Sequence, residues 1–221
     1  MNPISTILWL RSLAAGRSLI YPIAFDALGI SATLNALETT ITQTDEPEDI
    51  RSAVAQAVAL LRDGEIVALP TETVYGLAAD AFNAEAVAKI FAVKERPSFD
   101  PLIVHVVGFK GVEQVADVPP DIEKVLRRLA GEFWPGPLSI VLPKRPSLPD
   151  IVTSGLDTVA VRQSANPVMK AVIQSLGSPL AAPSANRFGR ISPTSARAVE
   201  AELGGRIPLI LDAGACNEGI E

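Results

Sequence analysis

Two rhythms of apolar and polar residues run through this chain. Short apolar runs closed by Pro, Gly or a polar turn predict buried strands, and stripes at i, i+3, i+4, i+7 predict helices. Ile50, Val54, Ala57, Val58 and Leu61 form one helical face over residues 47–61. Pro47, Glu48 and Asp49 suit its first turn, and Gly64 suits its end. The run Ile66 to Leu69 predicts a strand that enters Pro70 and a polar turn ending at Gly76. A helix follows on which Val87, Ile90, Phe91 and Lys94 share a face, so Lys94 points toward the protein body or a cleft wall. Pro97 pushes Arg96 toward extended backbone, so this helix stops near Glu95.

Further strands are predicted over residues 102–106, 138–142, 158–162, 180–182 and 207–211. An amphipathic helix over 121–129 carries Val125, Leu126 and Leu129. The turn Phe133 to Pro137 is expected to pack its aromatics. Asn166-Pro167 opens a helix with Val168, Val172 and Leu176 inward and Gly177 as its stop. A last helix starts at Ser192-Pro193, with Ser192 as an N-cap, and runs through Val199 and Leu203. Strands alternating with helices give an α/β domain.

Composition narrows the function classes. Across 221 residues, 48% hydrophobic and 20% charged content is that of a folded protein with one good-sized core. The net charge of −6 argues against a general nucleic-acid coat but permits a local basic cleft. One cysteine and one histidine exclude an intrachain disulfide and multi-cysteine or multi-histidine metal sites. A metal here would arrive with phosphates, as magnesium does.

Residues 1–44 read differently from the rest. Arg11, Arg17 and Pro22 interrupt the apolar runs, so no transmembrane helix of about 20 residues fits. A signal peptide or an acid-poor transit sequence is one reading, and an unstructured tail or an upstream start is the other. The second is favoured, because no clear small-residue cleavage site follows a single apolar core.

The candidate chemistry gathers around Lys94 and Arg96. They sit at a helix exit beside the polar Thr71-Glu72-Thr73 turn, which suits an anion site, although cations also simply complement a helix C-terminus. His105 interrupts an apolar strand, where a lone histidine is ordinarily structural. On the strand 158–162, alternation puts Thr158, Ala160 and Arg162 on one face, and arginine offers a planar fork for a carboxylate. Pro183-Ser184-Ala185-Asn186 follows small residues that permit close approach of a ligand, although a solvent turn explains it equally.

Together, LPTETVYGL, KERP, PLIVH, PGPLSIVLP, TVAVR and PSAN resemble the YrdC family of threonylcarbamoyl-AMP synthases, from about Asp45 to the last residue. The resemblance implies a twisted mixed sheet with flanking helices around a large central concave site. The PTETVYGL form and the histidine of PLIVH look like the family's longer members, in which a linker and second domain follow. On that comparison residues 45–221 are a catalytic domain lacking its final strand, and its substrate-contacting serine, after Asp212.

Residue by residue, the resemblance assigns Thr73, His105, Arg162 and Ala182 to L-threonine, with Arg162 gripping the carboxylate. It assigns Arg96, Asp100, Thr158, Ser184 and Ser192 to ATP. Lys94, Arg96, Ser184 and Asn186 match the family's K-x-R and S-x-N catalytic set. Asp100 stands where many relatives carry asparagine, and a carboxylate beside a triphosphate repels it unless magnesium or another cation intervenes.

The implied reaction joins threonine and bicarbonate (or carbon dioxide) as N-carboxythreonine. Its carboxylate attacks the α-phosphorus of ATP, with Mg²⁺ brought by the nucleotide, and releases pyrophosphate. The implied setting is cytoplasmic, without membrane, and the product feeds proteins that modify tRNA. No protein nucleophile is needed, which fits the missing serine–histidine–aspartate set and P-loop. Two alternatives stand beside this one. Carbamoyl-adenylate formation, as in hydrogenase maturation factors, is disfavoured by the missing zinc-finger cysteines. An RNA-binding or ribosome-associated module is disfavoured by net acidity and the lack of aromatic stacking motifs.

Overall fold

The computed structural model describes residues 37–220. The expectation of a tail or targeting segment over 1–44 lies, as far as residue 36, outside the described residues. In chain order the elements are β1 (Thr40–Gln43), α1 (Pro47–Arg62), β2 (Val67–Leu69), β3 (Gly76–Asp80) and α2 (Ala84–Lys94). Next come β4 (Ile103–His105), α3 (Gly108–Val115), α4 (Pro120–Phe133), β5 (Ile140–Pro143) and α5 (Asp150–Thr153). The last are β6 (Thr158–Arg162), α6 (Pro167–Leu176), β7 (Leu180–Ala181), α7 (Ala196–Leu203) and β8 (Leu209–Asp212).

The strands form one eight-stranded sheet in the order β1-β8-β2-β3-β7-β4-β6-β5. It is mixed, as expected: β8 runs parallel to β1 and β2, β4 runs parallel to β6, and the other pairings are antiparallel. Side chains alternate across the sheet and build a core on each face. On one face α1 and α6 pack Val54, Val58, Leu61, Met169 and Val172 against Val67, Leu69, Leu180 and Leu209. On the other, residues from α2, α3, α4, α5 and α7 pack against Ala68, Leu77, Val104, Val159, Val161 and Ile210.

The structure departs from the sequence expectations at several points. The sheet takes in Thr40–Gln43, which pair with Leu209–Asp212 although the sequence assigns them to the extension. The chain leaves the Pro70–Tyr75 turn as β3, a strand whose fully buried run GLAA has no alternation to announce it. The helices α3 and α5 were also unforeseen: the first opens at Gly108 without a side-chain cap, and the second is four residues long.

On α4 only Leu126 is buried, while Val125 is 59% and Leu129 37% exposed. Phe133 is 52% exposed, whereas Trp134 packs on the core and donates its indole N–H to the Leu138 carbonyl at 2.7 Å. The cap of α7 is Ser195, whose hydroxyl accepts from Ala198 N, so Ser192 lies three residues ahead of its assigned role.

Candidate active site

The turn between β2 and β3 is the centre of the candidate site. Thr71 Oγ1 accepts from the N–H groups of Thr73 and Val74 at 3.1 Å and donates to the Val74 carbonyl at 2.6 Å. A threonine closing its own turn fixes the backbone in a way free chain would not. The turn then backs onto the segment after β7. Gly76 bridges to Ser184, Ala185 N donates to the Tyr75 carbonyl at 2.7 Å, and Tyr75 N donates to the Pro193 carbonyl at 2.8 Å. A Cβ on Gly76 would lie 3.3 Å from Ala182 Cβ and 3.6 Å from the Pro183 carbonyl oxygen, so glycine permits this close approach.

His105 and Arg162 are register partners on the parallel pair β4 and β6, so both leave the same face of the sheet. It is the face that Leu180 shares with α6 further along, and over β5 and β6 it is open at Val141 and Thr158. The Arg162 guanidinium donates through one terminal nitrogen to Glu72 Oε1 at 2.7 Å and to Thr73 Oγ1 at 3.0 Å. The second Glu72 oxygen accepts from the Ser164 hydroxyl and from Ala165 N. Glu72, Thr73, His105, Arg162 and Ser164 are all buried.

Burial alone would push the Glu72 carboxyl up, but the Ser164 and Arg162 hydrogen bonds outweigh it and hold it below the usual carboxylate range. Burial, and then the positive Arg162, push the His105 imidazolium down to about 4 against a smaller opposing pull from Glu72. His105 is therefore a neutral hydrogen-bonding group at ordinary pH. Its Nδ1 and the Nε of Arg162 are buried without a hydrogen-bond partner. Unsatisfied buried polar atoms are costly and rare, and here two belong to register partners on neighbouring strands.

A second cluster forms at the end of α2. Lys94 is 1% exposed, and its ammonium donates to the carbonyls of Ser184 and Asn186. The Lys94 carbonyl in turn accepts from Phe188 N at 2.8 Å. The helix leaves through Glu95 in the left-handed region at φ 55°, which turns Arg96 away from the helix axis. Arg96 pairs with Asp100 Oδ2 at 2.8 Å and donates to the Asp100 and Pro101 carbonyls. Asn186 Nδ2 donates to the Arg187 and Arg190 carbonyls, and its Oδ1 is buried and unpartnered.

The predicted residues therefore fall into groups. Thr73 and Arg162 are hydrogen-bonded, with His105 beside them; Lys94, Ser184 and Asn186 form one knot; Arg96 and Asp100 pair. Ala182 is buried and donates its N–H to the Ile103 carbonyl at 2.9 Å. Ser192, half-buried, precedes the proline that accepts from Tyr75. Thr158 sits exposed at the far end of β6, about 13 Å along the strand from Arg162. The sequence did not foresee that the Lys94 ammonium donates to two backbone carbonyls of the Ser184 loop.

Sequence reasoning missed Glu72 and Ser164. The available signal was an acid between two threonines in an otherwise apolar stretch, which demands a buried cation. It also missed Tyr75, whose hydroxyl donates to the Gly214 carbonyl at 2.7 Å and accepts from Ala213 N at 3.2 Å. Among the described residues no three His, Cys, Asp or Glu side chains are placed to hold a metal, and no helix is long and apolar enough to cross a membrane.

Comparison with known proteins bears on these clusters. The Sua5/YciO/YrdC family model, described as telomere recombination, matches residues 59–221. The threonylcarbamoyl-AMP synthase of Bacillus subtilis is 47% identical over 179 residues, covering 80% of this chain and 51% of that protein. A putative threonylcarbamoyl-AMP synthase of Mycobacterium tuberculosis is 35% identical over 169 residues, 76% of each. The crystal structure of P. abyssi Sua5 complexed with L-threonine matches with a TM-score of 0.73 and 43% identity, over 80% of this chain and 50% of that one. E. coli YciO, at 19% identity and a TM-score of 0.68, shares the fold. The chain spans about half the length of the Bacillus, Pyrococcus and Schizosaccharomyces synthases it matches. By the matched model and the extent of these likenesses, the chain belongs to the Sua5/YciO/YrdC family.

Proposed function

We propose that this chain carries the site of an L-threonylcarbamoyladenylate synthase. The observation that carries the reading is the pair of buried, unpartnered nitrogens, His105 Nδ1 and Arg162 Nε, on register partners of β4 and β6, with Arg162 also bonded through a terminal nitrogen to the Thr73 hydroxyl. A small amino acid supplies what these atoms lack: a carboxylate for Arg162 and a hydroxyl for the neutral imidazole. A relative 43% identical to this chain was solved with L-threonine bound, which supports the same ligand here.

In this reading the threonine amine takes up bicarbonate or carbon dioxide as N-carboxythreonine. The new carboxylate attacks the α-phosphorus of ATP, forming a carboxyl–phosphate bond as pyrophosphate leaves. Arg96, Ser184 and Ser192 line the nucleotide side, with Thr158 further out on the open sheet face. Lys94 holds the Ser184–Asn186 loop in shape, and catalysis rests on positioning and on neutralising charge. Magnesium would enter on the triphosphate and would neutralise phosphate charge. The mixed anhydride then passes, in the cytoplasm, to proteins that transfer the threonylcarbamoyl group to tRNA.

The test is pyrophosphate release that depends on L-threonine, bicarbonate and ATP together, alongside calorimetric titration with L-threonine. Release without threonine, or no threonine binding at millimolar concentration, removes the reading.

A further inference from the structure

We infer that Glu72 is a positioning residue for amino-acid recognition, which presets the Arg162 guanidinium without touching the ligand. This rests on the threonine-binding reading above and extends it to a residue that reading leaves without a role.

Both Glu72 oxygens are already engaged. Oε1 accepts from the Arg162 terminal nitrogen at 2.7 Å, and Oε2 accepts from the Ser164 hydroxyl and, at 3.1 Å, from Ala165 N. A carboxylate filled in this way has little capacity left for a substrate ammonium. Its partners come from the end of β6 and from the loop that starts α6, so it joins the β2–β3 turn to both.

The same terminal nitrogen of Arg162 also donates to Thr73 Oγ1 at 3.0 Å. Two anchors on one nitrogen fix the plane of the guanidinium and leave the buried, unpartnered Nε to a ligand. An arginine held in this way gives up little side-chain freedom when a carboxylate arrives. The Glu72–Arg162 pair is also neutral as a unit, so together the two side chains bury no net charge. Ser164 serves the same end one step further out. It orients the carboxylate that orients the arginine, and its oxygen also accepts from Asn166 N at 3.1 Å.

A purely structural staple would weaken the site for every ligand alike. A positioning residue affects the carboxylate contact selectively. The experiment is calorimetric titration of the whole chain with L-threonine and, separately, with L-threoninamide, which lacks the carboxylate. Melting temperature and the KM for ATP are followed in parallel.

The wild-type chain is expected to prefer threonine to the amide by at least about tenfold. Glu72→Gln is expected to weaken threonine by about tenfold or more while changing threoninamide by less than about threefold. Ser164→Ala is expected to show the same pattern at about threefold, and it keeps the test open if the Glu72 variant does not fold. Equal weakening of both ligands, or unchanged threonine affinity in a folded variant, overturns the inference. Failure of the wild type to bind threonine instead overturns the reading beneath it, and with it the inference.

Discussion

The Lys94 ammonium lies 2.5 Å from the carbonyl oxygen of Ser184, a residue ninety positions further along the chain. It also holds the carbonyl of Asn186, so one buried cation shapes the loop that carries both polar residues of the S-x-N pair. A lysine on an apolar helix face is thereby explained, because its ammonium organises a turn.

Lys94→Met keeps the apolar stem but leaves the Ser184 and Asn186 carbonyls short of a donor. A loss of about 2–4 kcal/mol in urea unfolding is expected. Pyrophosphate release should fall by more than about a hundredfold, since the loop loses its geometry. Near-wild-type turnover would remove the loop-holding role.

The imidazole of His105 makes stability depend on pH. An unfolded chain takes up its proton as pH falls through 6.5, whereas the folded imidazole resists until about 4. The unfolded state therefore binds more protons in that window. Stability is fully present above pH 6.5 and is lost toward pH 4, by about 3 kcal/mol in all. His105→Gln should flatten this part of the curve. The Glu72 carboxyl acts in the same direction at still lower pH, through its own depressed value. An identical slope in wild type and variant between those limits would contradict the assignment.

Asp100 competes for Arg96 at 2.8 Å. Asp100→Asn removes a negative charge that a triphosphate bound at Arg96, as proposed, would have to displace or screen. Affinity for a non-hydrolysable ATP analogue should rise about three- to tenfold, with the larger gain at low salt. Unchanged or weaker binding would mean that Asp100 positions Arg96 rather than competing for it.

Neighbouring residues of α4 should behave oppositely. Leu126 is buried, so Leu126→Ala is expected to lose about 2–4 kcal/mol. Val125 faces outward, so Val125→Ser should stay within about 0.5 kcal/mol of wild type. Comparable losses at the two positions in thermal melts would contradict the observed helix facing.

Much of the architecture was legible because local chemistry and tertiary role agree. Pro47, Asn166-Pro167 and Gly177 bound helices where their dihedral preferences require. The stripe ending in Lys94 predicted its burial, and alternation on β6 placed Arg162 opposite Val161. β3 was not legible, because a strand buried on both faces carries no period. Nor was the outward turn of Val125, since only the position of α4 over the sheet decides which of two adjacent apolar residues is covered. For the site, the family resemblance rather than local spacing singled out Thr73, His105 and Arg162, and the pairing of the last two across neighbouring strands emerges only from the fold. Glu72 escaped notice because its partner lies 90 residues away, and no local spacing encodes that pairing.

The Tyr75 phenol, clasped to Gly214 and Asp212, has a practical consequence for anyone who tags or joins this protein. The peptide leaving the final strand is buttoned to the turn that carries Thr73, and it is buttoned again where Glu218 N donates to the Glu72 carbonyl. A reporter spliced directly behind Asp212 would tear both fastenings and deform the Thr73 turn from behind.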